Sequence, residues 1–349
     1  MIADDEMEIG MRKKIRRAFF SAVLLGSLLT SSGCGFFADT VVETASTEEE
    51  KDLIEVGFSQ VGSESVWRTA NTESIQNALT RENGFFLIFK NGRQKQENQI
   101  KAIRSFIAQR VDYIVLSPVT EEGWDTVLEE AKEAGIPVII ADRMVSVADD
   151  SLYTAYVGTD KREEGRKAGL WLESYLKKHN KEDEEVRILV LKGTEGSSAQ
   201  LGRTMGFDEI ADQHDNWTIL AQETGDFTTS KGREVMKKLL ATYPDFDVLV
   251  SQNDDMTFGA IDALESAGIT TGISGDVVVI SFDAVSEALR LVSEGVINVD
   301  VECNPEQGEM IAQVIKALEN GEEVEKTNIV EENVFTIGNV GAYLNDRTY

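Results

Sequence analysis

The chain of 349 residues is long enough for two domains of ordinary size, and its hydrophobic content of 42% indicates a globular protein with a sizeable core. Its formal net charge of −28 disfavours contact with nucleic-acid phosphates, so we expect no nucleic-acid partner. Two cysteines and two histidines argue against a disulfide framework and against a cysteine- or histidine-rich metal site, and we expect no metal and no cofactor.

Residues 1–33 have the layout of a secretory signal: the basic segment "MRKKIRR", the apolar run "AFFSAVLLGSLLT" and small residues before Cys34. The apolar run is too short for a comfortable membrane span. The small residues resemble the lipobox of bacterial lipoproteins, which implies that Cys34 is lipidated. Ser31 stands where that motif usually has Leu, so ordinary cleavage is the alternative. Met11 is an alternative start to Met1, because an acidic stretch precedes the basic segment.

Residues 34–51 are polar and acidic and have no periodicity. This composition predicts a flexible tether, which suits a lipid anchor that holds a folded body away from the membrane.

From Leu53 onwards, short apolar runs such as "LIEVGFS", "VDYIVLSP" and "VRILVLKG" alternate with amphipathic stretches such as "QENQIKAIRSFIAQR". Near-continuous β-branched runs separated by helices indicate parallel strands that are buried on both faces. The fold class predicted from this alternation is α/β, with doubly wound parallel sheets. One set of runs ends near Asp142 and a second begins after residues 148–160, which suggests two similar lobes and a hinge.

Polar and aromatic residues follow nearly every predicted strand. Ligands of open parallel sheets bind outside the carboxyl ends of the strands, so these residues are candidates for one shared site. They are Glu64, Trp67, Arg68, Asp142, Arg143, Arg203, Asp226, Phe227, Asn253, Asp254, Asp255, Asp283, Glu302 and Asn304.

This set of side chains matches the chemistry of a sugar. A hydroxyl both donates and accepts hydrogen bonds, carboxylates and amides pair with it, and a planar guanidinium donates in a fork. The C–H face of a sugar ring stacks on aromatic rings, a role that Trp67 and Phe227 could fill from opposite sides.

Other interpretations of these residues remain open. Asp254 and Asp255 could cap the following helix, Trp67 could be core, and the pair at 142–143 could be a structural ion pair. The glycine loop "KGTEGSS" lacks the spacing of a phosphate-binding motif. The cluster "KREEGRK" at 161–167 mixes both charges, which is typical of a solvated helix face.

Long motifs resemble one known family. "VGFSQVGSESVWR", "GWDTVLEEAKEAGIPVIIADR", "GDFTTSKGREVM" and "SQNDDMTFGAIDAL" are similar to the ribose-type sugar-binding proteins of ABC importers, and most similar to the galactofuranose-binding members. The resemblance covers roughly residues 55–308. It implies a periplasmic binding protein of type I that captures a monosaccharide between two lobes and delivers it to an ABC permease.

The resemblance also implies the organisation and setting of the protein. Three segments would cross between an N-terminal lobe of residues 52–156 plus 304–332 and a C-terminal lobe of residues 157–303 plus 333–349. The protein would be an extracytoplasmic monomer, anchored to the membrane through Cys34, and it would not be an enzyme.

Individual roles carry over from the family to matching positions. Trp67 would stack on the sugar with Glu64 and Arg68 beside it, and Asp142 with Arg143 would bond hydroxyl groups. The other matches are Arg203, Phe227, Asn253 and Asp283. At "VECNPEQG" the family has a Gln, and we assign that role to Glu302 rather than to Cys303 or Asn304.

Three rival functions differ in kind. A sensor would present the same sugar to a receptor or kinase, and the sequence does not separate this from transport. A glycosidase could use Asp142 with Asp283 as its carboxylate pair. A repressor with this body would need a basic DNA-binding segment where this chain has a signal sequence and an acidic tether.

Overall fold

Two six-stranded sheets organise residues 53–349, the part of the chain described in a computed structural model. The predicted signal sequence, the lipidation site Cys34 and the tether lie outside the described residues. The first sheet contains β1 (Ile54–Gln60), β2 (Phe85–Asn91), β3 (Tyr113–Leu116), β4 (Val138–Ala141), β5 (Ala155–Gly158) and β11 (Thr327–Ile329). Its order is β2-β1-β3-β4-β5-β11, and all neighbours are parallel.

The second sheet repeats this plan. It contains β6 (Val186–Lys192), β7 (Trp217–Thr224), β8 (Val248–Ser251), β9 (Val278–Asp283), β10 (Val299–Glu302) and β12 (Val334–Thr336). Its order is β7-β6-β8-β9-β10-β12, and only the last pair is antiparallel. The predicted α/β class with two parallel-sheet lobes is confirmed.

Helices connect the strands and cover the sheets. They are α1 (Val66–Ala78), α2 (Gln96–Gln109), α3 (Asp125–Glu133), α4 (Lys161–Lys178), α5 (Ser198–Ala211), α6 (Thr229–Thr242), α7 (Asp254–Ser266), α8 (Ser286–Ser293) and α9 (Gly308–Glu319). Short 3-10 turns lie at Asp150–Leu152 and Val340–Ala342.

Burial on both faces explains the apolar runs of the sequence. In β3, Val115 packs in the core on one face of the first sheet, while Ile114 and Leu116 pack in the core on the other. Successive side chains of a strand point to opposite faces, so a strand covered on both sides needs apolar residues at every position.

The chain crosses between the sheets three times, at residues 159–160, 303–307 and 330–333. The first crossing comes later than we expected. Val157 and Gly158 belong to β5 and pair with β11 in the first sheet, so the predicted boundary after residue 156 falls inside a strand.

Helices α4 and α5 pack unusually close because glycines face the partner's backbone. A Cβ atom at Gly165 would lie 2.3 Å from the carbonyl oxygen of Arg203, and one at Gly206 would lie 1.9 Å from that of Arg162. This contact brings the first turns of α4 and the middle of α5 together on one face of the second sheet.

A buried acid pair lies where the third crossing meets α4. The carboxyl group of Glu332 faces that of Glu164, and both side chains are almost completely buried. Burial and the neighbouring Glu164 raise the pKa of Glu332 to about 10. The two carboxyl groups therefore share a proton at neutral pH.

Gly206→Ala tests the close helix contact. An alanine normally stabilises a helix relative to glycine, but here its Cβ would meet backbone, and overpacking of this kind costs about 1–3 kcal/mol. We expect the free energy of unfolding from denaturant titration to fall by that amount. Gly341→Ala is the control, because a Cβ there meets no atom within 4 Å. A Gly206→Ala variant as stable as wild type would refute the tight packing.

Glu332→Gln tests the shared proton. The folded protein keeps this proton up to about pH 10, whereas the unfolded chain loses it above about pH 4.5. The proton therefore contributes fully to the stability of the folded state below about pH 4.5, and this contribution is lost as the pH rises through about 10. Relative to the variant, wild type should lose up to about 1.4 kcal/mol of unfolding free energy per pH unit between about pH 5 and 9. Glu331→Gln, at an exposed neighbour, should follow the wild-type curve. Parallel curves for Glu332→Gln and wild type would contradict the pair.

Candidate functional site

A small cavity lies between the two sheets. Its wall is polar and charged, with two aromatic rings. The lining residues are Glu64, Ser65, Trp67, Arg68, Asp142, Arg143, Lys161, Ala199, Arg203, Phe227, Asn253, Asp283 and Cys303. Nine of the ten predicted sugar-binding residues are in this set, and Glu302 is not.

The sheet topology brings these residues together. Asp142 and Arg143 follow β4 directly, Asp283 ends β9, and Asn253 comes two residues after β8. Because the carboxyl ends of parallel strands meet at one edge, each sheet presents its polar residues to the same side. The two edges face each other across the cavity.

The N-terminal half of the wall is a row of ion pairs. Arg68 donates from Nε to Glu64 Oε1 at 3.1 Å, and its Nη1 lies 2.8 Å from Asp142 Oδ2. Arg143 Nη2 lies 3.7 Å from the same Glu64 oxygen. Burial alone would raise the pKa of Asp142, but Lys161, Arg68 and Arg143 more than offset this and hold it well below its usual range.

The C-terminal half is centred on Arg203. Its Nε donates to Glu164 Oε2 at 2.6 Å and its Nη2 to Asp283 Oδ1 at 3.0 Å. Nη1 donates to the carbonyl of Gln252. Burial raises the pKa of Asp283 against the lowering effect of Arg203.

Asn253 has a structural role as well as a place in the wall. Its Oδ1 accepts from the backbone of Met256 at 3.0 Å and so caps α7, and its Nδ2 donates to the carbonyl of Phe227 at 3.3 Å. The cap is therefore not Asp254 or Asp255, the two residues that the sequence offered for it.

Lys161 contradicts our expectation of a solvated face for the cluster at 161–167. Its Nζ lies 2.7 Å from Thr159 Oγ1, 2.8 Å from Cys303 Sγ and 3.0 Å from Asp142 Oδ1. Lys161 comes three residues after the end of β5, so the expectation that site residues follow the strands could have identified it. The mixed charge of its neighbours suggested a surface helix instead.

Glu302 faces away from the cavity. Its Oε2 accepts from the backbone and side-chain nitrogens of Asn333 at 2.8 and 2.7 Å, and its Oε1 from Arg347 Nη1 at 2.6 Å. It thus joins the end of β10 and the third crossing segment to the C-terminal tail. The next residue, Cys303, reaches the cavity, and its carbonyl accepts from Trp67 Nε1 at 2.5 Å.

The two aromatic rings lie beside cations. Arg68 is 4.7 Å from the Trp67 ring centroid and Arg143 is 5.2 Å from that of Phe227. A Cβ at Gly193 would lie 1.8 Å from Phe227 Cζ. The glycine that begins the loop after β6 therefore leaves room for this ring, which accounts for "KGTEGSS" without a phosphate.

Two buried polar atoms of the cavity-lining residues have no hydrogen-bond partner in the protein. They are Glu64 Oε2, an acceptor, and Arg143 Nε, a donor. Buried polar groups are normally paired, so an unpaired acceptor and donor beside a cavity indicate a ligand that carries both functions.

The two lobes also bond each other directly around the cavity. The backbone nitrogen of Glu121 donates to the carbonyl of Gly196 at 3.0 Å, and that of Met144 to Ser198 Oγ at 2.8 Å. The nitrogen of Val66 donates to Asp255 Oδ2 at 3.2 Å. The structure is therefore a closed form of the cleft.

One group of side chains in residues 53–349 has the composition of a metal site. The ligand atoms of Glu164, Cys303 and Glu332 lie within 4.8 Å of one another. The ammonium group of Lys161 already lies 2.8 Å from Cys303 Sγ and 3.4 Å from Glu164 Oε1. A cation is thus built into the group, and we interpret it as part of the ion-pair network.

Comparison with known proteins gives consistent results. The chain is 38% identical over 284 residues to the galactofuranose-binding protein YtfQ of Escherichia coli K12, covering 80% of this chain and 87% of YtfQ. A Mycobacterium smegmatis protein in complex with β-D-fucofuranose has 42% identity and a TM-score of 0.80, over 85% of this chain and 95% of that one. The arabinose-binding component from Shewanella sp. ANA-3, with bound arabinofuranose, has 39% identity and a TM-score of 0.79, over 84% and 95%.

The model of the periplasmic binding protein domain matches residues 56–323, most of the chain. YtfQ and the Shewanella protein are both named as binding proteins, so the predicted family is confirmed, together with the prediction of a binding protein rather than an enzyme. No helix within residues 53–349 is long and apolar enough to span a membrane. The chain belongs to the family of periplasmic binding proteins, as a sugar-binding protein of the ABC-importer type.

Proposed function

We propose that this protein captures a neutral sugar in its furanose form, of the galactofuranose type, between its two lobes. The observation that carries the proposal is the closed cavity with an unpaired buried acceptor on Glu64, an unpaired donor on Arg143 and two flanking aromatic rings. The relatives with bound fucofuranose and arabinofuranose support the choice of ring form.

The charges of the wall favour a neutral guest. Every arginine of the cavity lies within 4 Å of a carboxylate, as Arg68 does to Asp142 and Arg203 to Asp283. A sugar hydroxyl can add a hydrogen bond to such a pair without disturbing its charge balance, whereas a carboxylate or ammonium group would bring an unmatched charge into a buried site.

Closure of the lobes is the proposed mechanism. An open form would hold half of the donors and acceptors on each lobe, and only the closed form can present all of them to one ligand. The sugar therefore shifts the population towards the closed form. Direct bonds such as Met144 to Ser198 Oγ would add to closure without contacting the sugar.

Delivery to an ABC permease is the proposed outcome, outside the cytoplasm and with the protein as a monomer. The relatives named for binding and import support this over a sensor. A glycosidase is disfavoured because Asp142 and Asp283 are each held by an arginine in an ion pair.

Calorimetric titration with D-galactose, D-fucose and L-arabinose, each equilibrated in water, tests the binding proposal. Trp67→Ala and Arg143→Ala should each weaken binding by about 2 kcal/mol or more, because each removes a buried anchor. Arg104→Ala, at an exposed arginine paired with Glu130, is the matched control. Absence of heat with every sugar would overturn the proposal.

We also propose that Cys34 is the lipidated N-terminus of the mature protein, on the basis of its sequence context. Cys34→Ala should move the protein from the membrane fraction to the soluble fraction, whereas Cys303→Ala should leave it with the membrane. Mass spectrometry of the mature N-terminus provides the second measurement. An unmodified N-terminus in wild type would contradict the anchor.

A further inference from the structure

Charged side chains around the cavity form one continuous series of ion pairs in which positive and negative groups alternate. It runs through Arg143, Glu64, Arg68, Asp142, Lys161, Glu164, Arg203 and Asp283. The first four come from the N-terminal lobe and the last four from the C-terminal lobe. Within this series, the ion pair between Asp142 and Lys161 connects one lobe to the other.

Lys161 has no donor left for a ligand. An ammonium group has three N–H bonds, and three acceptors lie within 3.0 Å of Nζ: Thr159 Oγ1, Cys303 Sγ and Asp142 Oδ1. The Thr159 hydroxyl can accept here because its own proton goes to Glu164 at 2.7 Å. The lysine side chain is only 5% exposed. Its contribution to binding must therefore pass through another residue.

That residue is Asp142. Its Oδ1 is held by Lys161 at 3.0 Å from the C-terminal lobe, and its Oδ2 by Arg68 at 2.8 Å from its own lobe. Two cations from opposite sides fix the plane of the carboxylate, and each oxygen keeps a lone pair for a hydroxyl group. The orientation of this acceptor therefore depends on the relative position of the lobes.

We propose that Lys161 is a positioning residue for sugar binding: it orients Asp142 and joins the two half-sites when the lobes close. This inference rests on the proposed function, with Asp142 as a direct contact of the sugar. It assigns an indirect role to a lysine that the sequence places on a surface helix.

A double-mutant cycle tests the inference with the sugar that gives the largest heat in wild type. Lys161→Met should weaken binding about tenfold or more in wild type, because one partner of a buried charge pair is removed. In the Asp142→Asn background, Lys161→Met should weaken sugar binding less than about threefold, because no carboxylate remains to be oriented. Lys178→Met, on an exposed turn of the same helix, should leave affinity unchanged.

If Lys161→Met lowers sugar affinity equally with and without Asp142→Asn, or lowers it in neither case, the inference is overturned even though the wild-type protein binds the sugar. If wild type binds none of the sugars, the proposed function fails and the inference fails with it. Should Lys161→Met not melt cooperatively, Lys161→Gln, which is one atom shorter and uncharged, must show the same cycle.

A crystal structure of the wild-type sugar complex tests the same point without any variant. Nζ of Lys161 should stay within about 3.2 Å of Asp142 Oδ1, with the sugar bonded to the carboxylate. A sugar oxygen bonded directly to Nζ would overturn the positioning role.

Discussion

Burial of charge at the interface of the two lobes is the constraint on which the rest of the site depends. A lone carboxylate or guanidinium removed from water is very costly, and the cost becomes acceptable only when each charge has an opposite partner and its hydrogen bonds are satisfied. The alternation from Arg143 to Asp283 meets this condition with partners from both lobes. The cavity can therefore be highly polar and still be closed to solvent.

Backbone geometry at the strand ends makes this arrangement possible. Several residues that turn the chain into the cavity have positive φ angles, among them Asp142 at 59°, Phe227 at 59° and Asp283 at 106°. Such conformations are unfavourable for residues with a Cβ and persist where surrounding contacts fix them, often at functional sites. Ala284, the residue after Asp283, also has a positive φ, of 60°. For Asp142 and Asp283, the ion pairs with Arg68 and Arg203 are among these contacts.

The hinge and the cavity are parts of one network. Thr159, Cys303 and Glu332 lie on the three crossing segments, and all three are next to Lys161 or Glu164. A change of angle between the lobes would alter distances within this cluster and, through Arg203 and Asp142, at the cavity wall. Sugar binding and lobe closure would then be coupled directly, through contacts between hinge residues and cavity residues.

The sequence by itself determined the two-lobed parallel architecture and nine of the cavity's residues. Apolar runs report burial on both faces, and residues that follow parallel strands share one edge of the sheet. That pattern gave fourteen candidates, and the family resemblance selected ten of them. Only the tertiary structure showed where residues adjacent in sequence have different surroundings in the fold. Glu302 and Cys303 are adjacent, yet the first binds Arg347 and the second reaches the cavity. Lys161 lies beside exposed Arg162 but is buried, because its depth depends on which face of α4 meets α5, and that follows from glycine contacts between distant segments.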